Sequence, residues 1–104
     1  MESEIHESMI PTPTVGEILK DEFMVPFGIS TSDLAESLRV SAETVSGLIH
    51  GERRITTDMA LRLSRLFGMS DRFWINLQTD IDIRNRRQAL ASELEKIHPI
   101  TEPA

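Results

Sequence analysis

Three histidines, seventeen acidic residues and no cysteine are the raw material for chemistry in this chain. His6, His50 and His98 stand far apart, and none belongs to a ligand pair at helical spacing. Without cysteine there is no disulfide framework and no thiolate nucleophile, so a metal site would need His, Asp and Glu alone. No glycine-rich phosphate loop or paired-carboxylate motif occurs, and the sequence therefore predicts neither catalysis nor a bound metal or cofactor. What remains is the chemistry of recognition. Arg53 and Arg54 are adjacent donors of charge-assisted hydrogen bonds. They follow a short segment whose polar positions Glu43, Thr44 and Ser46 are left to solvent or a ligand, while Val45, Leu48 and Ile49 share one apolar face.

The elements that must position these residues read as helices. Thr14 and Glu17 form a capping box ahead of Val15, Ile18, Leu19 and Phe23, a first helix ended near Pro26 to Gly28. Ser30 and Asp33 repeat the pattern before Leu34, Ala35 and Leu38, giving a second helix of about two turns. Ser41 caps a third, which Gly51 stops. A fourth runs from about Thr57 with Ala60, Leu63 and Phe67 on one face and is closed by Gly68. From Ser70 or Asp71 a fifth carries Phe73, Trp74, Leu77 and Ile81, with no evident break before Pro99. Unbroken, it would be roughly 40 Å long at 1.5 Å per residue, too long for so small a core. Its distal stripe Leu90, Leu94 and Ile97 therefore needs another surface, most simply a twin copy. The alternation from Asp80 to Ile83 is equally strand-like.

At 104 residues, 39% hydrophobic and 5% aromatic, the chain has room for one domain with a modest aliphatic core. Met1 to Pro13 is acidic, lacks periodicity and holds Pro11 and Pro13, so it reads as a flexible arm. The domain proper spans 14–97, with a tail over 98–104. An acidic N-terminus and the lack of any long apolar run predict a cytoplasmic protein with no membrane partner. A net charge of -6 argues at first against nucleic acid. Residues 1–27, however, carry one Lys against six acids, whereas 28–68 hold five Arg against five acids, so the central region is neutral.

Ala35 lies midway along the second helix, where two steeply crossing helices leave space for a methyl group, and Val40, Val45 and Leu48 supply the shared wedge. Such an arrangement projects the next helix outward, toward a major groove. In SDLAESLRVSAETVSGLIHGERR the patterns A-x-x-L-x-V-S and T-V-S-x-L-I-x-G-x-R fall in register. The stretch from Val15 to Phe67 resembles the helix-turn-helix domain of the Xre and lambda-repressor group. The flanks PTVGEILKDEF, MALRLSRLFG and FWINLQ make it similar, within that group, to the HigA-type antitoxins of toxin–antitoxin operons. One departure is Arg39, at a turn position where many members have Gly. A positive φ there would cost on the order of 1 kcal/mol.

The resemblance implies an all-α, five-helix lambda-repressor-like domain that acts as an antitoxin. It places Ala42, Glu43, Thr44 and Ser46 at base-facing positions and Thr31, Ser32, Arg53 and Arg54 at phosphate-facing ones. Thr44 can donate or accept at a base edge, and Glu43 can accept from a cytosine amino group or simply favour the helix N-terminus. Arg62 and Arg65 read as a solvated helix face. Dimerisation is expected through the last helix, over Trp74, Leu77, Ile81, Leu90 and Leu94, with recognition helices about 34 Å apart on double-stranded operator DNA. The implied protein partner is a small basic, RelE-like, HigB-like ribonuclease that cuts messenger RNA. The arm, with Glu4, Ile5, Glu7, Met9 and Ile10, is either a flexible acidic peptide that folds along that toxin and mimics RNA charge or an unstructured solubilising tail. Two other readings stay open: a repressor without a toxin, and a protein-interaction module that has lost DNA.

Overall fold

The computed structural model describes residues 12–100, which form helices and turns with no strand among them. The arm residues Glu4, Ile5, Glu7, Met9 and Ile10 lie outside the described residues. Thr14 opens the fold as expected: its hydroxyl accepts the Glu17 N–H at 3.0 Å, and its own N–H is taken by the Glu17 carboxylate at 3.0 Å. Helix α1 (Val15–Ile18) runs into a π-helical stretch, Leu19–Met24, and back into α2 (Val25–Phe27). In the wide turn the Val25 N–H bonds the carbonyl of Lys20, five residues back. Pro26 follows at once and has no N–H to donate, which is a sufficient reason for the register to widen there. Gly28 closes the rod in the left-handed region, with φ 65°.

Three capped helices follow. Helix α3 (Thr31–Leu38) starts at Ser30, whose hydroxyl accepts the Asp33 N–H at 3.0 Å, and α4 (Ala42–Ile49) starts at Ser41, which accepts from Thr44 at 3.1 Å. Helix α5 (Thr57–Phe67) is capped by Thr56. Between α3 and α4 the chain turns at Arg39, which takes φ 62°, so the left-handed turn is kept without glycine. The Val40 N–H reaches the Ala35 carbonyl at 3.0 Å and the Arg39 N–H reaches Glu36 at 3.1 Å, the paired bonds that end a helix in this way. Arg62 of α5 adds a bond to the Leu38 carbonyl at 2.7 Å. It thereby caps α3 while staying exposed on the helix face, as expected.

Helix α6 (Phe73–Ala89) starts without a side-chain cap, so neither Ser70 nor Asp71 fills that role, and the Asp80–Ile83 alternation is helical. The unbroken last helix is corrected by a break at Leu90, where ψ is 10°, before the short α7 (Ala91–Glu95). Neither proline nor glycine marks it. Beyond Asp82 the helix has no core behind it, and backbone bonds alone hold a helix weakly.

The core gathers Leu19, Leu34, Val45, Leu63 and Trp74, with Ala35 at 4% exposure where a small side chain was expected. All four phenylalanines and the tryptophan meet in one cluster, with Phe23 4.9 Å from both Phe67 and Trp74 and Phe73 5.3 Å from Trp74 between ring centroids. Trp74 is 0% and Ile81 9% exposed within the single chain. Both are therefore packed into the core of their own chain. Leu77 is half-buried against that core, leaving Leu90 and the 44%-exposed Leu94 with accessible surface.

Candidate nucleic-acid interface

Helix α4 is seated by its inward face and displayed by its outward one. Val45 and Leu48 are buried among apolar neighbours, while Gly16 of α1 lies against the Leu48 backbone; a methyl group at Gly16 would sit 1.8 Å from the Leu48 carbonyl oxygen. Only glycine permits this approach, so α1 and α4 meet backbone to backbone. The other face carries Ala42 and Glu43, both exposed at the capped N-terminus, where free N–H groups and the helix dipole favour an acceptor.

The two hydroxyls singled out beside them are less free. Thr44 Oγ1 lies 2.8 Å from Ser41 Oγ and accepts a long bond, 3.5 Å, from Arg53. Ser46 Oγ lies 3.2 Å from Nδ1 of His50. Both residues are half-buried. Thr44, Arg53 and Arg54 line one cleft of about 510 Å³ with Leu48, Ile55, Thr56 and Met59. Thr31 and Ser32 stand in the first turn of α3, half-buried and exposed respectively, with no hydrogen bond to that cleft among the described residues.

The two arginines are held differently. Arg53 folds its side chain across Gly47, where a methyl group would come within 2.8 Å of Cδ, and its backbone N–H bonds the Gly47 carbonyl at 3.1 Å. Arg54 instead reaches α6. Its Nη1 and Nη2 donate to the two carboxylate oxygens of Asp82 at 2.9 and 2.5 Å, while its side chain stays 67% exposed. The Asp82 hydrogen bond, reinforced by charge, raises the pKa of Arg54 above its ordinary value. Arg54 in turn holds the Asp82 carboxyl below the usual carboxylate range, against the opposing effect of partial desolvation.

Asp82 is supported in its turn by Gln78, whose Nε2 donates to it at 3.1 Å and whose Oε1 accepts the buried Ile55 N–H at 2.9 Å. Sequence reasoning found the two arginines but not Asp82, Gln78 or Gly47. The partners of Arg54 and Ile55 are 28 and 23 residues away, beyond any local pattern. Gln78 does end the FWINLQ stretch, the one signal that could have drawn attention to it. Among the described residues no group of three or more His, Cys, Asp and Glu side chains is placed to hold a metal ion, and no helix is long and apolar enough to cross a membrane.

With this geometry in view, likeness to known proteins is informative. The helix-turn-helix family profile matches residues 19–74. Antitoxin HigA-1 of Vibrio cholerae is 37% identical over 87 residues, covering 84% of this chain and 82% of its own. A Pseudomonas aeruginosa antitoxin HigA, solved with the higBA promoter, superposes with a TM-score of 0.79 at 42% identity over 85% of this chain and 97% of its own. The antitoxin GraA, solved in complex with its operator, gives 0.80 at 35% identity over 90% and 95%.

Proposed function

The chain belongs to the helix-turn-helix family, in its HigA antitoxin group, and from that premise we propose that it binds its own operator as a homodimer, represses its operon and neutralises a RelE-like ribonuclease. The observation that carries the DNA-binding part is the display of α4 beside Arg53 and Arg54, in a chain whose relatives were solved with promoter or operator DNA. Ala42 and Glu43 at its open end offer little hydrogen-bonding reach. Specificity then rests on Thr44 and Ser46, once released from their internal partners, and on DNA shape. Arg53 and Arg54 supply phosphate affinity, and Thr31 and Ser32 at the start of α3 support it.

The homodimer reading uses the apolar side chains that follow Asp82, the half-buried Leu90 and the exposed Leu94, more than the buried Trp74 and Ile81. Two-fold symmetry would set the recognition helices about 34 Å apart on a palindrome in the cytoplasm. The toxin reading follows from the family and from the acidic residues Glu4 and Glu7 beside Ile5, Met9 and Ile10, which suit a small basic HigB-like partner.

A gel-shift titration on the DNA upstream of its own gene tests the first part. Replacing Thr44, Ser46, Arg53 and Arg54 together by Ala is expected to weaken binding by a factor of about 100 or more. Unaltered binding would sink the interface. Co-expression with a small basic protein, should its neighbouring gene encode one, tests the second part: a stable complex separates an antitoxin from a plain repressor, and its loss on deleting 1–13 assigns the arm.

A further inference from the structure

Resting on the DNA-binding reading above, we infer that Asp82, held in place by Gln78, is a positioning residue that orients the Arg54 guanidinium for a DNA phosphate. Gln78 is 8% exposed and Ile55 4%, and the bond from the Ile55 N–H to Gln78 Oε1 fixes which way round the amide lies. Its Nε2 therefore faces α6 and donates to Asp82 Oδ1, four residues on. A carboxylate fixed in this way is a template for one guanidinium plane, and Arg54 takes it with both Nη atoms.

A guanidinium has five N–H donors, of which this pair uses two, and the Arg54 side chain remains 67% exposed against 30% for Asp82. The free donors thus open toward solvent with the carboxylate behind them. Arg54 borders both the cleft that holds Thr44 and Arg53 and a second one lined by Thr14, Gly16, Gln78 and Asp82, so its exposed guanidinium stands beside the recognition helix. An arginine on a flexible stem loses rotamer freedom when it binds phosphate, whereas one already held in plane loses less. The same chain of bonds ties the loop after α4 to α6, so the loop that carries both arginines is registered against the body of the domain.

The test is a double-mutant cycle read by DNA affinity over a range of salt concentrations. Wild type, R54A, D82N and R54A/D82N are titrated against the upstream duplex, with thermal unfolding of each to check folding. D82A serves as a second variant lacking the hydrogen bond as well as the charge. The expected result is about a three- to fivefold weakening for D82N and D82A, and about tenfold for R54A with the salt slope reduced by about one. Adding either Asp82 change to R54A should then have no further effect, because its only route is through Arg54.

D82N or D82A binding as tightly as wild type, or more tightly, overturns the inference while leaving the DNA-binding reading intact. So does a loss at Asp82 that repeats in full on the R54A background, which would mark a merely structural role. A wild-type chain that fails to retard the duplex at all removes the DNA-binding reading and overturns the inference with it.

Discussion

The helix pair α3–α4 and the segment after Asp82 are both helical, yet they are held by opposite means. In the pair each helix has a serine cap at 3.0 or 3.1 Å, and its inward residues Leu34, Ala35, Leu38, Val45 and Leu48 are at most 4% exposed. After Asp82 there is no side-chain cap on α7, and Ile83, Leu94 and Ile97 are 48%, 44% and 68% exposed. Local signals and burial agree in the first region, which is what lets a chain settle on one arrangement. In the second, apolar residues recur at helical spacing with no cover among the described residues, a pattern that suits an intermolecular surface. The first region is thus completed by its own chain, and the second is left uncovered among the described residues.

The contrast is broken most severely at Gly16. Replacing it by Ala drives a methyl group into the Leu48 carbonyl, with the Ile49 Cα also only 2.9 Å away, and backbone cannot step aside as a flexible side chain would. We expect Gly16→Ala to lower unfolding free energy by about 3 kcal/mol or more, a large share of what a small domain has. Denaturant titration measures it. A loss below about 1 kcal/mol would mean that α4 is not seated by this contact, and the first region would not be self-completed in the sense argued.

Much of that region is legible in sequence because its determinants are local. Thr14 with Glu17, Ser30, Ser41, Gly51 and Gly68 each act within a few residues, and each lies where a helix starts or stops. The interface is legible only as residue types. That Arg53 lies over Gly47, Arg54 on Asp82, and Arg62 under the end of α3 depends on packing between distant segments. The break at Leu90 and the inward facing of Trp74 have the same origin: a periodic stripe shows that a face will be covered, not by whom.

Arg39 gives the next largest effect. Its φ of 62° is strained for a side chain with a Cβ, and the turn keeps this geometry because the bonds to Ala35 and Glu36 and the cap from Arg62 over-determine it. Arg39→Gly relieves the strain but adds freedom to the unfolded chain, so the net gain should be about 1 kcal/mol or a little less. Thermal unfolding reads it as a rise in Tm. A fall would show that the Arg39 side chain contributes to the pair beyond its backbone role.

The smallest effect on the fold should come from the second region, and its smallness is the point. Changing Leu94 and Ile97 together to Gln keeps helix propensity nearly constant at Leu94 and alters only exposed side chains, so the isolated chain should lose less than about 0.5 kcal/mol. Association should respond far more. If this surface meets a second copy, wild-type Tm rises with protein concentration, since assembly stabilises the folded form by mass action. The double variant should lose that dependence and sediment as a monomer at concentrations where wild type is a dimer. Were the variant to unfold at low concentration, the stripe would belong to the chain's own core, and the two regions would be held in the same way after all.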